Sequence, residues 1–91
     1  MTGPVMHDAE EKRAMDARLA RVEGQVRAVR RMIGADQSCE SIAQQLSAAR
    51  RALDRAFYEM VSCMIRHEAA GSRQERRRHA GRVAEMLARF G

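Results

Sequence analysis

Apolar side chains recur at alternating intervals of four and three residues along most of this chain, and this spacing limits its fold more than any other feature. The first stripe consists of Met15, Leu19, Val22, Val26, Val29 and Ile33. The second consists of Cys39, Ile42, Leu46, Ala49, Leu53, Ala56, Met60 and Met64. Steps of four and three place such side chains on one face of an α-helix, in the pattern of a heptad seam. The sequence therefore predicts two long amphipathic helices.

Turn signals predict where the helices begin and end. Residues 1–8 are predicted to form a flexible N-terminal arm, and residues 9–91 a single helical domain with helices at about 9–33, 39–69 and 73–90. Gly34 is the predicted stop of the first helix, and Ser38 or Asp36 the predicted N-cap of the second. No segment alternates in the manner of a β-strand, so the predicted fold class is all-α.

Chain length points to self-association. A chain of 91 residues buries a limited core by itself. A second helix of 30 residues would be roughly 45 Å long at 1.5 Å per residue. Because this is long for so small a protein, its seam is expected to extend past the first helix and meet a partner chain.

The charge of the chain comes almost entirely from arginine. The formal net charge is +5, and Lys12 is the sole lysine among 17 basic residues. Arginine binds phosphate in a bidentate manner and stays charged at any working pH. Aromatic residues make up 3% of the chain, which disfavours stacking on single-stranded bases and favours duplex DNA as the partner. Solvated helix faces, acidic partners and membrane surfaces remain alternatives.

Several classes of protein are disfavoured. Two cysteines, at positions 39 and 63, do not make a disulfide framework. The sequence shows no signal peptide and no apolar segment of transmembrane length, so a cytoplasmic protein with reduced thiols is expected. Motifs such as the P-loop, GxSxG and HExxH are absent from the sequence, and we do not expect an enzyme.

Candidate metal ligands lie on the second helix. Cys39, Met64 and Glu68 share its seam, but 25 residues separate Cys39 from Met64, roughly 37 Å along a helix. In an antiparallel pairing, Cys39 would meet Met64 and Glu68 of the other chain. Sulfur ligands favour Cu(I) or Zn(II), and carboxylate or imidazole ligands favour harder ions. The alternative is that cysteine and methionine are ordinary core residues.

Three further residues carry ligand chemistry. Cys63 and His67 are four residues apart and share a helix face one position off the seam, so they form a secondary candidate pair. His7 lies on the predicted arm, where it could fold over a site or remain solvated.

The segment RQERRRH, residues 73–79, is a strongly basic start to the third helix. Positive charge at a helix N-terminus opposes the helix dipole. This predicts a frayed first turn or neutralisation by an acidic partner.

The stretch RLARVEGQVRAVRRMI, followed by a cysteine and then QQLSAARRALDRA, resembles the CsoR/RcnR family of bacterial repressors that sense metals or formaldehyde. The resemblance covers roughly residues 8–90. It implies a three-helix protomer, an antiparallel four-helix-bundle dimer and a dimer of dimers. It also implies that Arg18, Arg21, Gln25 and Arg50 contact double-stranded operator DNA.

The same resemblance implies an effector site between subunits. Its cysteine corresponds to Cys39, and its further ligand positions correspond to Met64, Glu68 and His7. The effectors it implies are Cu(I), Ni(II), Co(II) or Zn(II), or an electrophile such as formaldehyde that modifies the thiol. The resemblance thus predicts a DNA-binding repressor that leaves its operator when an effector acts at Cys39. The alternative is a basic helical scaffold that binds an acidic partner and senses nothing.

Overall fold

The computed structural model describes residues 5–68 and 73–91, apart from the side chains of Glu68 and His79. Within these residues the chain forms three α-helices and no strand: α1 (Ala9–Gly34), α2 (Cys39–Glu68) and α3 (Arg73–Phe90). The prediction of an all-α, three-helix protomer is confirmed. The predicted end of the second helix at residue 69 lies outside the described residues, as do residues 1–4 of the predicted arm.

Helix α1 begins with a side-chain cap. The Oδ1 of Asp8 accepts hydrogen bonds from the backbone N–H groups of Glu10 (2.8 Å) and Glu11 (3.1 Å). The first N–H groups of a helix lack intrahelical partners, so an acceptor at this position stabilises the helix start. Two acidic side chains in the first turn, Glu10 and Glu11, also complement the positive end of the helix dipole.

Helix α1 ends at Gly34, one residue past the predicted end at 33, and its left-handed residue lies two positions after the predicted glycine stop. Gly34 is still helical, and the residue with a left-handed backbone is Asp36, at φ 56°. The N–H of Gln37 donates to the carbonyl of Met32, and the N–H of Asp36 to that of Ile33. These two bonds form a Schellman motif, in which the left-handed position normally holds glycine. Aspartate tolerates this conformation better than most other side chains do.

Helix α2 begins at a serine cap, as the sequence predicts. The Oγ of Ser38 accepts a hydrogen bond from the N–H of Ser41 at 3.1 Å and donates to the Oγ of Ser41 at 2.9 Å. Cys39 is therefore the first residue of α2. The turn between α1 and α2 is only four residues long, so the two helices leave it as an antiparallel hairpin.

The chain divides into two compact units. One comprises His7–Phe57, which is α1 with the first part of α2. Its buried residues, which we call the inner row, are Val22, Val29, Ala49 and Ala56. In the other unit, which includes the end of α2 and α3, the buried apolar residues are Val61, Cys63 and Val83.

Only two of the six residues in the first predicted stripe and two of the eight in the second are buried. A second set of apolar residues, the outer row, lies beside the inner row and is exposed: Leu19, Val26, Ile33, Leu46 and Leu53. Leu46 and Leu53 each expose 51% of their surface. On each helix the outer-row residues are seven apart, so they form a continuous line along its surface. The apolar face is thus wider than one hairpin covers.

The left-handed residue at the end of α1 generates a stability prediction. Replacing Asp36 by valine should lower the free energy of unfolding by about 1–2 kcal/mol, because a β-branched side chain crowds a left-handed backbone. Asp36→Gly, the matched control, should keep or raise stability, since glycine adopts this conformation without that cost. Urea unfolding at equal protein concentrations measures both. Equal losses in the two variants would show that the carboxylate matters more than the backbone.

Candidate functional site

The predicted DNA contacts on α1 share one helix face. Arg18, Arg21 and Gln25 are spaced by three and four residues, which places them side by side. Both arginines are exposed, and Gln25 is half-buried. Arg50, on α2, is exposed too. Arg21 and Arg50 are separated from the turn between α1 and α2 by similar numbers of residues, so they lie at nearly the same height in the hairpin. Each is the sequence neighbour of a buried residue, Val22 for Arg21 and Ala49 for Arg50.

Gln25 differs from these arginines in one respect. Its Oε1 is buried and accepts no hydrogen bond from any of the described residues. A buried acceptor without a partner costs about 1–3 kcal/mol in free energy. The Gln25 amide is therefore a group whose hydrogen bond the described part of the protomer does not supply.

The two cysteines lie in different environments. Neither cysteine forms a disulfide, and Cys39 is exposed whereas Cys63 is buried. Cys39 precedes Leu46 by one heptad, so its thiol lies at the end of the outer row. Cys63 exposes only 3% of its surface and follows Ala56, an inner-row residue, by one heptad. One thiol therefore faces outward with the unpaired apolar surface, and the other is enclosed.

The structure separates the predicted effector residues within one chain. Cys39–Glu68 is a single helix, so Cys39 and Met64 are roughly 37 Å apart along its axis. Met64 is half-buried, and His7 is exposed just before the Asp8 cap. The side chain of Glu68 lies outside the described part of the chain. Cys39 can meet Met64 only if Met64 belongs to another subunit.

Cys63 and His67 are the predicted ligands that the structure does bring together. Their spacing puts them one turn apart on α2, and the Cys63 Sγ lies within 4.8 Å of a ligand nitrogen of His67. Sulfur and imidazole ligands suit Zn(II), Cu and related transition metals. Because two ligands leave a tetrahedral ion half-coordinated, a metal held here needs further ligands. The donor chemistry of the pair fits a transition metal.

A third set of charged residues was not predicted as part of the site. Helix α3 exposes Arg73, Arg76, Arg77, Arg78 and Arg82 on the surface. From the sequence, this segment is predicted to be a basic helix start whose first turn is frayed or is neutralised by an acidic partner. The large part of the net positive charge that α3 carries is the sequence signal that could have identified this helix as a separate binding surface.

These features define a class of protein: small, all-helical and arginine-rich, with sulfur and imidazole side chains of metal-ligand type. The chain belongs to the metal-sensitive transcriptional repressor family, whose model matches residues 11–90. No curated protein and no solved structure is significantly similar to it. Membership implies a transcriptional repressor that responds to a metal ion, binds DNA and associates with itself, and not a class of enzyme.

Among the described residues, no helix combines the length and the apolar character needed to cross a lipid bilayer. Charged residues lie on the other faces of α1 and α2, beside the apolar stripes.

The unpaired, buried Oε1 of Gln25 leads to a prediction in which one substitution keeps or raises stability but weakens DNA binding. Gln25→Met should leave the free energy of unfolding unchanged or raise it by up to about 1 kcal/mol, because it removes an unpaired buried acceptor. The same change should weaken DNA binding if Gln25 contacts DNA. Gln44→Met, at an exposed position, is the control and should change neither. Denaturant unfolding and fluorescence anisotropy on duplex DNA measure the two effects. A clear loss of stability in Gln25→Met would contradict this account.

Proposed function

We propose that the protein is a repressor that binds operator DNA as a homo-oligomer and is released by an effector acting at Cys39 between subunits. The observation that carries the proposal is the position of Cys39. Its thiol is exposed and lies at the end of an exposed apolar row. Family membership over residues 11–90 supports the same proposal. A ligand at this thiol would act where a second chain packs.

The outer row is proposed to be the surface on which subunits associate. Exposed leucines and valines repeating every seven residues are unfavourable in water and are typical of an unfilled helix seam. Antiparallel packing of two hairpins would cover both outer rows and give the four-helix-bundle dimer. A dimer of dimers is proposed as the DNA-binding form.

Antiparallel packing would also complete the effector site. It would bring Cys39 of one chain towards Met64 and Glu68 of another, with His7 available from the segment before α1. These residues offer a thiolate, a thioether, a carboxylate and an imidazole. Such a set suits Cu(I), Zn(II), Ni(II) or Co(II), according to which ligands take part. An electrophile such as formaldehyde would require only the accessible thiol.

Helix α2 offers a physical route from the effector to DNA. Cys39 and Arg50 lie on the same rigid helix, roughly 16 Å apart along its axis. The inner row packs α2 against α1, which carries Arg18 and Arg21. An effector that shifts the start of α2 would therefore move arginines on both helices. Coupling of this kind is typically 1–3 kcal/mol, which corresponds to a 5- to 150-fold loss of affinity.

Action on DNA requires access to it, and we therefore propose that the protein works in the cytoplasm. The bound DNA is proposed to be a duplex read mainly through its phosphates and its shape, since the basic side chains are arginines on helix surfaces and not a helix inserted into a groove.

Self-association can be tested with one pair of variants. Leu46→Glu places a charge in the outer row, where desolvation in a packed seam would be costly, and should shift the protein to smaller species. Gln44→Glu adds the same charge on the opposite side of α2, at an exposed position, and should leave the assembly unchanged. Light scattering after size-exclusion chromatography gives the molar mass. Assembly of Leu46→Glu to the wild-type mass would exclude the outer row as the interface.

The effector site can be tested by truncating each thiol in turn. Reduced protein is titrated onto its own upstream DNA by fluorescence anisotropy, and Cu(I), Ni(II), Co(II), Zn(II) and formaldehyde are then added separately. We expect one agent to release wild-type protein, with DNA affinity falling roughly 5- to 150-fold. Cys39→Ala should bind DNA normally and resist release. Cys63→Ala is the matched control and should still respond.

Other outcomes of this experiment are equally informative. If Cys63→Ala resists release and Cys39→Ala responds, the effector acts at the pair formed by Cys63 and His67. If DNA binds and both variants behave as the wild type does with every agent, sensing at either thiol is excluded. If the wild type does not bind duplex DNA even at low salt, the chain is better described as a scaffold for an acidic protein.

A further inference from the structure

The positive charge of this protein is concentrated on α3. This helix holds six arginines and two glutamates, a formal charge of +4, while the whole chain carries +5. Helix α1 carries +3, and the acidic and basic residues of α2 cancel. Yet the predicted DNA contacts all lie on α1 and α2. The most strongly charged element of the fold thus has no part in the function proposed above.

From this distribution we infer that α3 forms a second DNA-contacting surface, which binds the phosphate backbone of the duplex held by α1 and α2. This inference rests on the proposed DNA-binding function. The α3 surface consists of two pairs of arginines, Arg73 with Arg77 and Arg78 with Arg82. Members of each pair are four residues apart, so each pair occupies neighbouring positions on the helix surface.

The arrangement of α3 keeps these arginines accessible. All four are exposed, whereas Val83 is buried. Arg73 and Arg77, together with Gln74, line an open depression of about 440 Å³, which is larger than a phosphate group. Gly81 lies between the two pairs on the helix surface, and a Cβ at that position would meet no atom within 4 Å. A phosphate backbone can therefore approach the helix closely.

The chemistry of the surface favours duplex over single-stranded nucleic acid. Guanidinium groups bind phosphate oxygens through two parallel hydrogen bonds. The one aromatic side chain of α3 is Phe90, at its far end, so the surface offers no platform for stacking unpaired bases. Contacts to phosphates position a protein on DNA without reading its sequence. The α3 surface should thus raise affinity without raising specificity.

Counting the ions released on binding tests this inference. Duplex DNA releases roughly 0.9 counterions for each phosphate that a protein neutralises, so the slope of log affinity against log salt reports the number of contacts. The full-length protein carrying Arg73→Gln and Arg77→Gln should bind on the order of tenfold more weakly and lose about one unit of slope for each contact removed. The loss should be equal on operator and scrambled duplexes.

A matched control exists on the same helix. Arg89 forms an ion pair with Glu85 at 3.6 Å, so its charge is already offset. Arg89→Gln and Arg77→Gln remove the same formal charge from α3, and only Arg77→Gln should change the salt slope. Circular dichroism and light scattering establish that each variant keeps the helical content and molar mass of the wild type.

The failures of the inference and of the proposed function are distinguishable. If the wild type binds DNA with a steep salt dependence and the α3 variants share its slope, the α3 surface is excluded while the repressor proposal stands. If the α3 variants change molar mass, the arginines serve contacts between copies of the chain, and the inference is overturned. If the wild type does not bind duplex DNA, both proposals fall together.

Discussion

The structure depends on an apolar face that is wider than one protomer can cover. On α1 and α2 the apolar positions follow steps of four and three, which spreads them over two adjacent lines on each helix. The hairpin buries the inner row through Val22, Val29, Ala49 and Ala56 and leaves the outer row exposed. Burial of apolar surface contributes about 25 cal/mol per Å², so an exposed row of leucines and valines is a standing driving force for association. The same apolar pattern therefore drives both the folding of the hairpin and its association with another chain. The outer row ends at Cys39, where we propose that the effector acts.

Much of this architecture could be predicted from local signals. The spacing of apolar residues predicts the helices, and Ser38 is recognisable as a cap because its hydroxyl lies three residues before an N–H that lacks an intrahelical partner. The end of α1 was less predictable. Gly34 is the residue most able to adopt a left-handed backbone, but the Schellman bonds fall two residues later, at Asp36. Helix propensity and hydrogen bonding compete over these few residues, and a sequence does not reveal which of them prevails.

The candidate site was harder to predict, for a different reason. Periodicity places Cys39 on the seam of α2 and Cys63 one position off it. It does not show which apolar residues form the buried inner row and which form the exposed outer row. That distinction arises only when the hairpin closes and buries Val22, Val29, Ala49 and Ala56 while the outer row stays exposed. The structure therefore adds the most important fact about the thiols, which is that one is enclosed and the other is accessible. It also shows that Cys63 and His67 approach each other, whereas Cys39 and Met64 of one chain are roughly 37 Å apart along the same helix and cannot.

The separation of roles among the helices has a physical consequence for regulation. An effector that repositions α2 can change contacts made by Arg50 and, through the inner row, those made by Arg21. If α3 also holds the phosphate backbone, its contacts contribute affinity in both states of the switch. A ligand shifts the equilibrium between two states of a protein only by the difference between its binding free energies for those states. Contacts that both states share raise overall affinity and leave that difference unchanged. Sequence-independent attachment through α3 would then raise affinity for operator and non-specific DNA alike, and the movement of α2 would alone set how far the effector lowers affinity for the operator.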